Sequence, residues 1–114
     1  MRILILDEIV VKPGLAAQYR DAYRTRYMPG AERRGMRLDG AWQNPPAQDF
    51  DELETTLYYL WSVEDVGAWW TMRRSRLPDG LDERYEKHAW WQESDRMTVR
   101  RSRKFLTAQP EAGQ

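Results

Sequence analysis

The sequence predicts an α+β domain: a four-stranded antiparallel sheet with helices on one face, in the order strand, helix, strand, strand, helix, strand. Three observations carry this. Residues 2–11 (RILILDEIVV) and 54–63 (ETTLYYLWSV) are apolar, β-branched and aromatic, with side chains alternating between two faces. Each is followed by a stretch whose apolar residues recur at helical spacing. No repeat, linker or low-complexity tract divides the 114 residues, so 1–108 are expected to form one domain around one core, with 109–114 a disordered tail.

The first strand is apolar on both faces, Ile3, Ile5, Ile9 and Val11 on one and Leu4, Leu6 and Val10 on the other, which calls for cover on both sides. Lys12-Pro13-Gly14 ends it. From Leu15 the period changes: Leu15, Tyr19, Ala22, Tyr23 and Arg26 share a helical stripe. Pro29-Gly30 is expected to break or kink that helix, with one more turn over 31–34 closed by Gly35. Residues 36–43 read as the second strand, 44–51 as a polar excursion of hairpin type, and 54–63 as the third strand. Ser62 followed by Asp65 is a helix-start signal for 66–77, which Pro78-Asp79-Gly80 stops. A second helical piece covers 81–95, and 97–106 returns as the last strand. Right-handed crossovers then put the first and third strands at the centre of a ferredoxin-like sheet.

Charge narrows the partners. Eighteen basic residues balance eighteen acidic ones, so no global field favours nucleic acid or an anionic membrane. The basic run from Arg100 to Lys104 has no interleaved aromatic platform for single strands. Asp7 and Glu8 interrupt the apolar start well short of a signal peptide or membrane span, and there is no cysteine, which fits a cytoplasmic protein. No Gly-rich phosphate loop, nucleophile elbow or zinc motif is present.

The helices of two crossovers cover only one face of such a sheet. On the third strand Leu57, Tyr59, Trp61 and Val63 alternate with Tyr58, Leu60 and Ser62. The set with the small Ser62 suits close helix packing, so the bulkier set, joined by Trp42, is expected on the open face. Leaving Trp42, Tyr59 and Trp61 uncovered would expose on the order of 500 Å² of aromatic surface. A homodimer, pairing this face with its own copy, removes it.

Three segments resemble the NIPSNAP-like proteins: Val11-Lys12-Pro13-Gly14 after the first strand, Tyr27 to Gly35 (YMPGAERRG) before Leu38-Asp39-Gly40-Ala41-Trp42, and Leu60 to Asp65 (LWSVED) leading into a helix. The resemblance spans residues 2–106 and implies a dimeric α+β barrel, in which two ferredoxin-like sheets face each other. The wider superfamily holds cofactor-independent monooxygenases, polyketide cyclases, muconolactone-type isomerases, haem-handling enzymes and proteins of unknown role, so fold alone does not decide function. The family's third-strand histidine is Tyr59 here and its first-strand arginine is Asp7, so the chemistry of those residues is not carried over.

Several residues could carry chemistry. Asp7 shares a face with Ile5 and Ile9; in an apolar chamber it is either a general base or the acid of an ion pair with Arg101 or Arg103 on the last strand. Tyr59 could donate a hydrogen bond to a substrate carbonyl, or simply pack. His88, the one histidine, is a general acid or base, a haem ligand, or an ordinary helix residue, and alone it builds no two-histidine metal site. An inward Arg101 or Arg103 would hold a carboxylate or enolate oxygen, with Trp42 and Trp61 shaping the pocket. Of the pairs Trp69-Trp70 and Trp90-Trp91, one member each is expected in the core. These residues suit a cofactor- and metal-independent cyclase, isomerase or monooxygenase acting on a hydrophobic, aromatic or polyketide-like molecule. The alternatives are a non-catalytic homodimeric binding or assembly module and, resting on His88 alone, a haem-binding protein. An open chamber of several hundred Å³ would favour the ligand; a chamber filled by Trp61 and Tyr59 would favour assembly.

Overall fold

A computed structural model describes residues 1–74 and 82–110, with side chains over 1–73 and 89–110. Strands β1 (Ile3–Val11), β2 (Arg37–Asn44), β3 (Thr55–Val63) and β4 (Thr98–Leu106) form one antiparallel sheet in the order β2-β3-β1-β4, so the two most apolar strands are central. The register sets Asp7 between Tyr59 on β3 and Arg103 on β4. Helices α1 (Ala16–Ala22), α2 (Met28–Arg33), α3 (Val66–Arg74) and α4 (Asp82–Met97) complete the ferredoxin-like α+β fold. The end of the helix predicted over 66–77, and the predicted stop at Pro78-Asp79-Gly80, lie outside the described residues.

Between α1 and α2 the chain does not break. Tyr23–Tyr27 form a π-helical turn, closed by the Met28 N–H donating to the Tyr23 carbonyl. Pro29 therefore opens α2, where its missing N–H costs nothing, rather than ending a helix. The wide turn also has a packing consequence. In an α-helix a residue four positions on has rotated about 40° past the first; the i→i+5 turn counters that drift. Tyr19, Tyr23 and Tyr27 thus stay on one buried stripe over the sheet. Gly35, at φ +92°, ends α2 in a left-handed cap, with the Met36 N–H reaching back to the Ala31 carbonyl and the Met36 side chain entering the core. At the start of α3 the cap is Asp65, which accepts from the Ala68 N–H at 2.7 Å; Ser62 of the predicted signal is buried on β3 instead.

The faces of the sheet are the reverse of the sequence expectation. Ile3, Ile5, Asp7 and Ile9 of β1 and Leu57, Tyr59, Trp61 and Val63 of β3 lie under the helices, all buried, and Tyr59 stacks on Tyr23 at 3.9 Å between ring centres. Size decided the expectation wrongly: the tyrosine stripe leaves an aromatic layer that only flat, large side chains fill, whereas Ser62 would leave a void. The open face carries Leu4, Leu6, Tyr58, Leu60 and Leu106, by alternation along the strands. Trp42, opposite Tyr58, belongs there too and not with Tyr59 and Trp61. It is 57% exposed, and its indole lies over Gly40, where a Cβ would come within 2.4 Å of the ring.

Candidate functional site

Under the helices the buried polar groups converge on Asp7. Arg103 grips its carboxylate with two parallel bonds, Nε to Oδ1 at 2.6 Å and Nη2 to Oδ2 at 2.9 Å. The Tyr23 hydroxyl donates to Oδ2 at 3.0 Å and accepts from Trp61 Nε1 at 2.8 Å. Arg103 Nη2 also donates to the Tyr27 hydroxyl at 2.6 Å. Burial opposes the charge on Arg103, but the bonds to Asp7 and the nearby Tyr27 outweigh it and hold the guanidinium above its usual pKa. Asp7 is 1% exposed, so without Arg103 its charge would be severely desolvated.

This network forms the floor of a cavity of about 180 Å³ at the edge of β4, lined chiefly by Asp7, Arg73, Trp91, Arg101, Arg103 and Phe105. Arg101 lies over the Trp91 ring at 4.3 Å and Arg73 over Phe105 at 5.6 Å. A larger groove of about 660 Å³ runs between the π-helical turn, α2 and α4, crossed by the Arg26–Glu93 ion pair. Among the described residues, no group of three or more His, Cys, Asp or Glu could hold a metal ion.

The structure brings Asp7, Tyr59, Trp61, Arg101 and Arg103 to one side of the sheet. Trp42 is on the other, and the side chain of His88, on α4, lies outside the described residues. Tyr59 and Trp61 fill their space rather than border an opening: Tyr59 stacks on Tyr23, and Trp61 is fully buried. Tyr27, which accepts from Arg103, and Arg73, which lines the cavity, are not among the site residues expected from the sequence. The four-residue spacing of Tyr19, Tyr23 and Tyr27 was the available signal for the first; nothing local marks the second. The pair Trp90-Trp91 divides as expected, with Trp90 in the core and Trp91 walling the cavity, whereas neither member of the other pair enters the core: Trp69 is half-buried against it and Trp70 is exposed.

The tyrosine layer should be visible in alkali. Burial raises the pKa of Tyr19 and Tyr23, and raises that of Tyr59 from its ordinary 10.0 to about 12, against the nearby Arg20 and aided by the Asp7 charge. The folded state favours the neutral phenols, so their stabilisation is complete below pH 10 and is lost as the pH rises towards the folded value. Tyrosine absorbance followed with circular dichroism should show these phenols ionising together with unfolding above pH 10. Full phenolate absorbance in a still-folded protein would contradict the packing.

A four-stranded sheet with its helices on one face and a polar network beneath them defines the class, the ferredoxin-like α+β fold. Solved structures similar to this chain along nearly their whole length include NIPSNAP proteins. An uncharacterised NIPSNAP domain protein from Burkholderia xenovorans aligns with a TM-score of 0.66 and 11% identity, covering 98% of this chain and 99% of that one. A NIPSNAP family protein from Agrobacterium tumefaciens gives 0.67 and 13%, covering 96% and 95%. A NIPSNAP-like domain protein from Burkholderia xenovorans gives 0.63 and 16%, covering 99% and 90%. At these identities the likeness is one of fold. No protein-family model and no curated protein matches the sequence. No helix among the described residues is long and apolar enough to cross a membrane.

Proposed function

We propose that the protein is a homodimeric α+β-barrel protein that binds a small aromatic molecule in the cavity beside Trp91. The observation that carries this reading is the cavity itself: an opening whose floor is a buried, doubly hydrogen-bonded charge pair and whose walls are aromatic. At about 180 Å³ it is smaller than a drug-sized pocket of roughly 300–1,000 Å³ and suits one ring. The dimer is supported by the open face, where Leu4, Leu6, Tyr58 and Leu60 stay part-exposed and Trp42 exposed, with no helix among the described residues assigned to that side. Glu8 and Lys104 on that same face offer charges of both signs for a two-fold partner.

Binding is favoured over proton abstraction at Asp7, because both its oxygens are already engaged, by Arg103 and Tyr23. The finer reading, a cofactor-independent cyclase, isomerase or monooxygenase, would instead use Arg101, on the cavity wall, to hold an enolate oxygen. Native mass spectrometry of the protein with a panel of one-ring and polyketide-like compounds tests the binding reading. One ligand per chain is expected; a panel in which nothing binds would overturn it.

A further inference from the structure

We propose that the ligand of this cavity is an aromatic carboxylate, held by Arg101 and Arg73 with its ring between Trp91 and Phe105; the inference rests on the binding reading above. Among the described residues, three guanidinium groups line the cavity, those of Arg73, Arg101 and Arg103, against the one carboxylate of Asp7. That carboxylate is committed: Arg103 holds both its oxygens and Tyr23 one of them. Two of the three nitrogens of Arg103 are engaged in turn, its Nε and Nη2 being taken by Asp7 and Tyr27.

The other two arginines are differently placed. Arg101 spends its Nε on Asp95, at 2.8 Å, a carboxylate on the exposed side of α4. Among the described residues its two terminal nitrogens meet no acceptor, and they lie over the Trp91 ring. Arg73 stands over both Trp69 and Phe105, at 5.4 and 5.6 Å, and among the described residues no carboxylate pairs with it. Among the described residues the charge of Arg73 is uncompensated and the terminal nitrogens of Arg101 remain available, which favours an anion, and paired N–H groups of a guanidinium match the two oxygens of a carboxylate. Ile9 and Met72 supply an apolar bed for the rest of the molecule. A bare inorganic anion would leave that apolar bed without a partner. A nucleic acid is excluded by the size of the opening, which takes one ring.

Benzoate, benzamide and inorganic phosphate serve as probes, titrated into isotopically labelled protein and followed by the indole and guanidinium N–H signals in NMR spectra. Benzoate is expected to saturate at one per chain and to bind roughly tenfold or more tightly than benzamide, which keeps the ring and shape but loses the charge. Phosphate is expected to bind more weakly than benzoate. Arg101→Gln and Arg73→Gln, both at exposed positions and expected to fold normally, should each weaken benzoate roughly tenfold and leave benzamide unchanged. Benzamide binding as well as benzoate, phosphate binding as well as benzoate, or full benzoate affinity in both variants would overturn the assignment while leaving the cavity a binding site. Binding of none of the probes to the wild-type protein would overturn the inference, whereas the binding reading falls only if the wider panel fails as well.

Discussion

Asp7→Asn is expected to destabilise the fold by about 3–5 kcal/mol. The amide keeps the shape of the carboxylate and can still accept from Tyr23, so no cavity opens and the loss is almost purely one of charge. Arg103, mostly buried with a side-chain exposure of 19%, is then left without its counter-ion and with one of its two parallel bonds facing an amide N–H₂. Breaking one half of a buried pair costs far more than the pair contributes over an apolar replacement, because the remaining charge stays desolvated. The companion change should therefore rescue it: Asp7→Leu combined with Arg103→Met is expected to recover most of the loss. Urea unfolding of the three variants checks both parts. An Asp7→Asn protein within about half a kcal/mol of wild type, the range of ordinary surface changes, would mean that the pair is not formed in solution.

Much of this fold was legible because its signals are local. Period-two alternation gave β1 and β3, helical spacing gave the two crossover regions, and crossover handedness alone put β1 and β3 at the centre of the sheet. Which face of the sheet meets the helices was not legible. Alternation divides Tyr59 from Tyr58 with certainty, but the choice between the two sets depends on what the helices bring to the contact. Here they bring a row of tyrosines, so the large set fits and Ser62, still buried, takes the face away from the helices. The π-helical turn that keeps that row aligned has no sequence signature of its own, and Pro29 pointed to a break or kink where the chain passes through that turn into α2. The Asp7–Arg103 pair lay within reach of sequence reasoning, since antiparallel neighbours on one face were foreseeable, but the choice between Arg101 and Arg103 required the register. The cavity needed α3 and α4 to be placed, and no spacing in the sequence supplies that.

With Trp61 under the helices, the surface left for a second copy is the one around Trp42, Leu6 and Leu60. Leu60 sits on a central strand between Leu6 and Gly40, in the middle of that face. A two-fold interface presents every residue twice, so Leu60→Glu would bury two carboxylates with nothing to pair them. A penalty of about 4 kcal/mol corresponds to roughly a thousandfold weaker association. The fold of each chain should survive, because Leu60 faces away from the core layer. Sedimentation velocity at micromolar concentration, run on wild type and on Leu60→Glu, is the most direct test of the dimeric barrel. The wild-type protein should sediment as one species of twice the chain mass, and Leu60→Glu as a folded monomer. A monomeric wild-type protein, or a dimer that Leu60→Glu leaves intact, would contradict the pairing of the open faces.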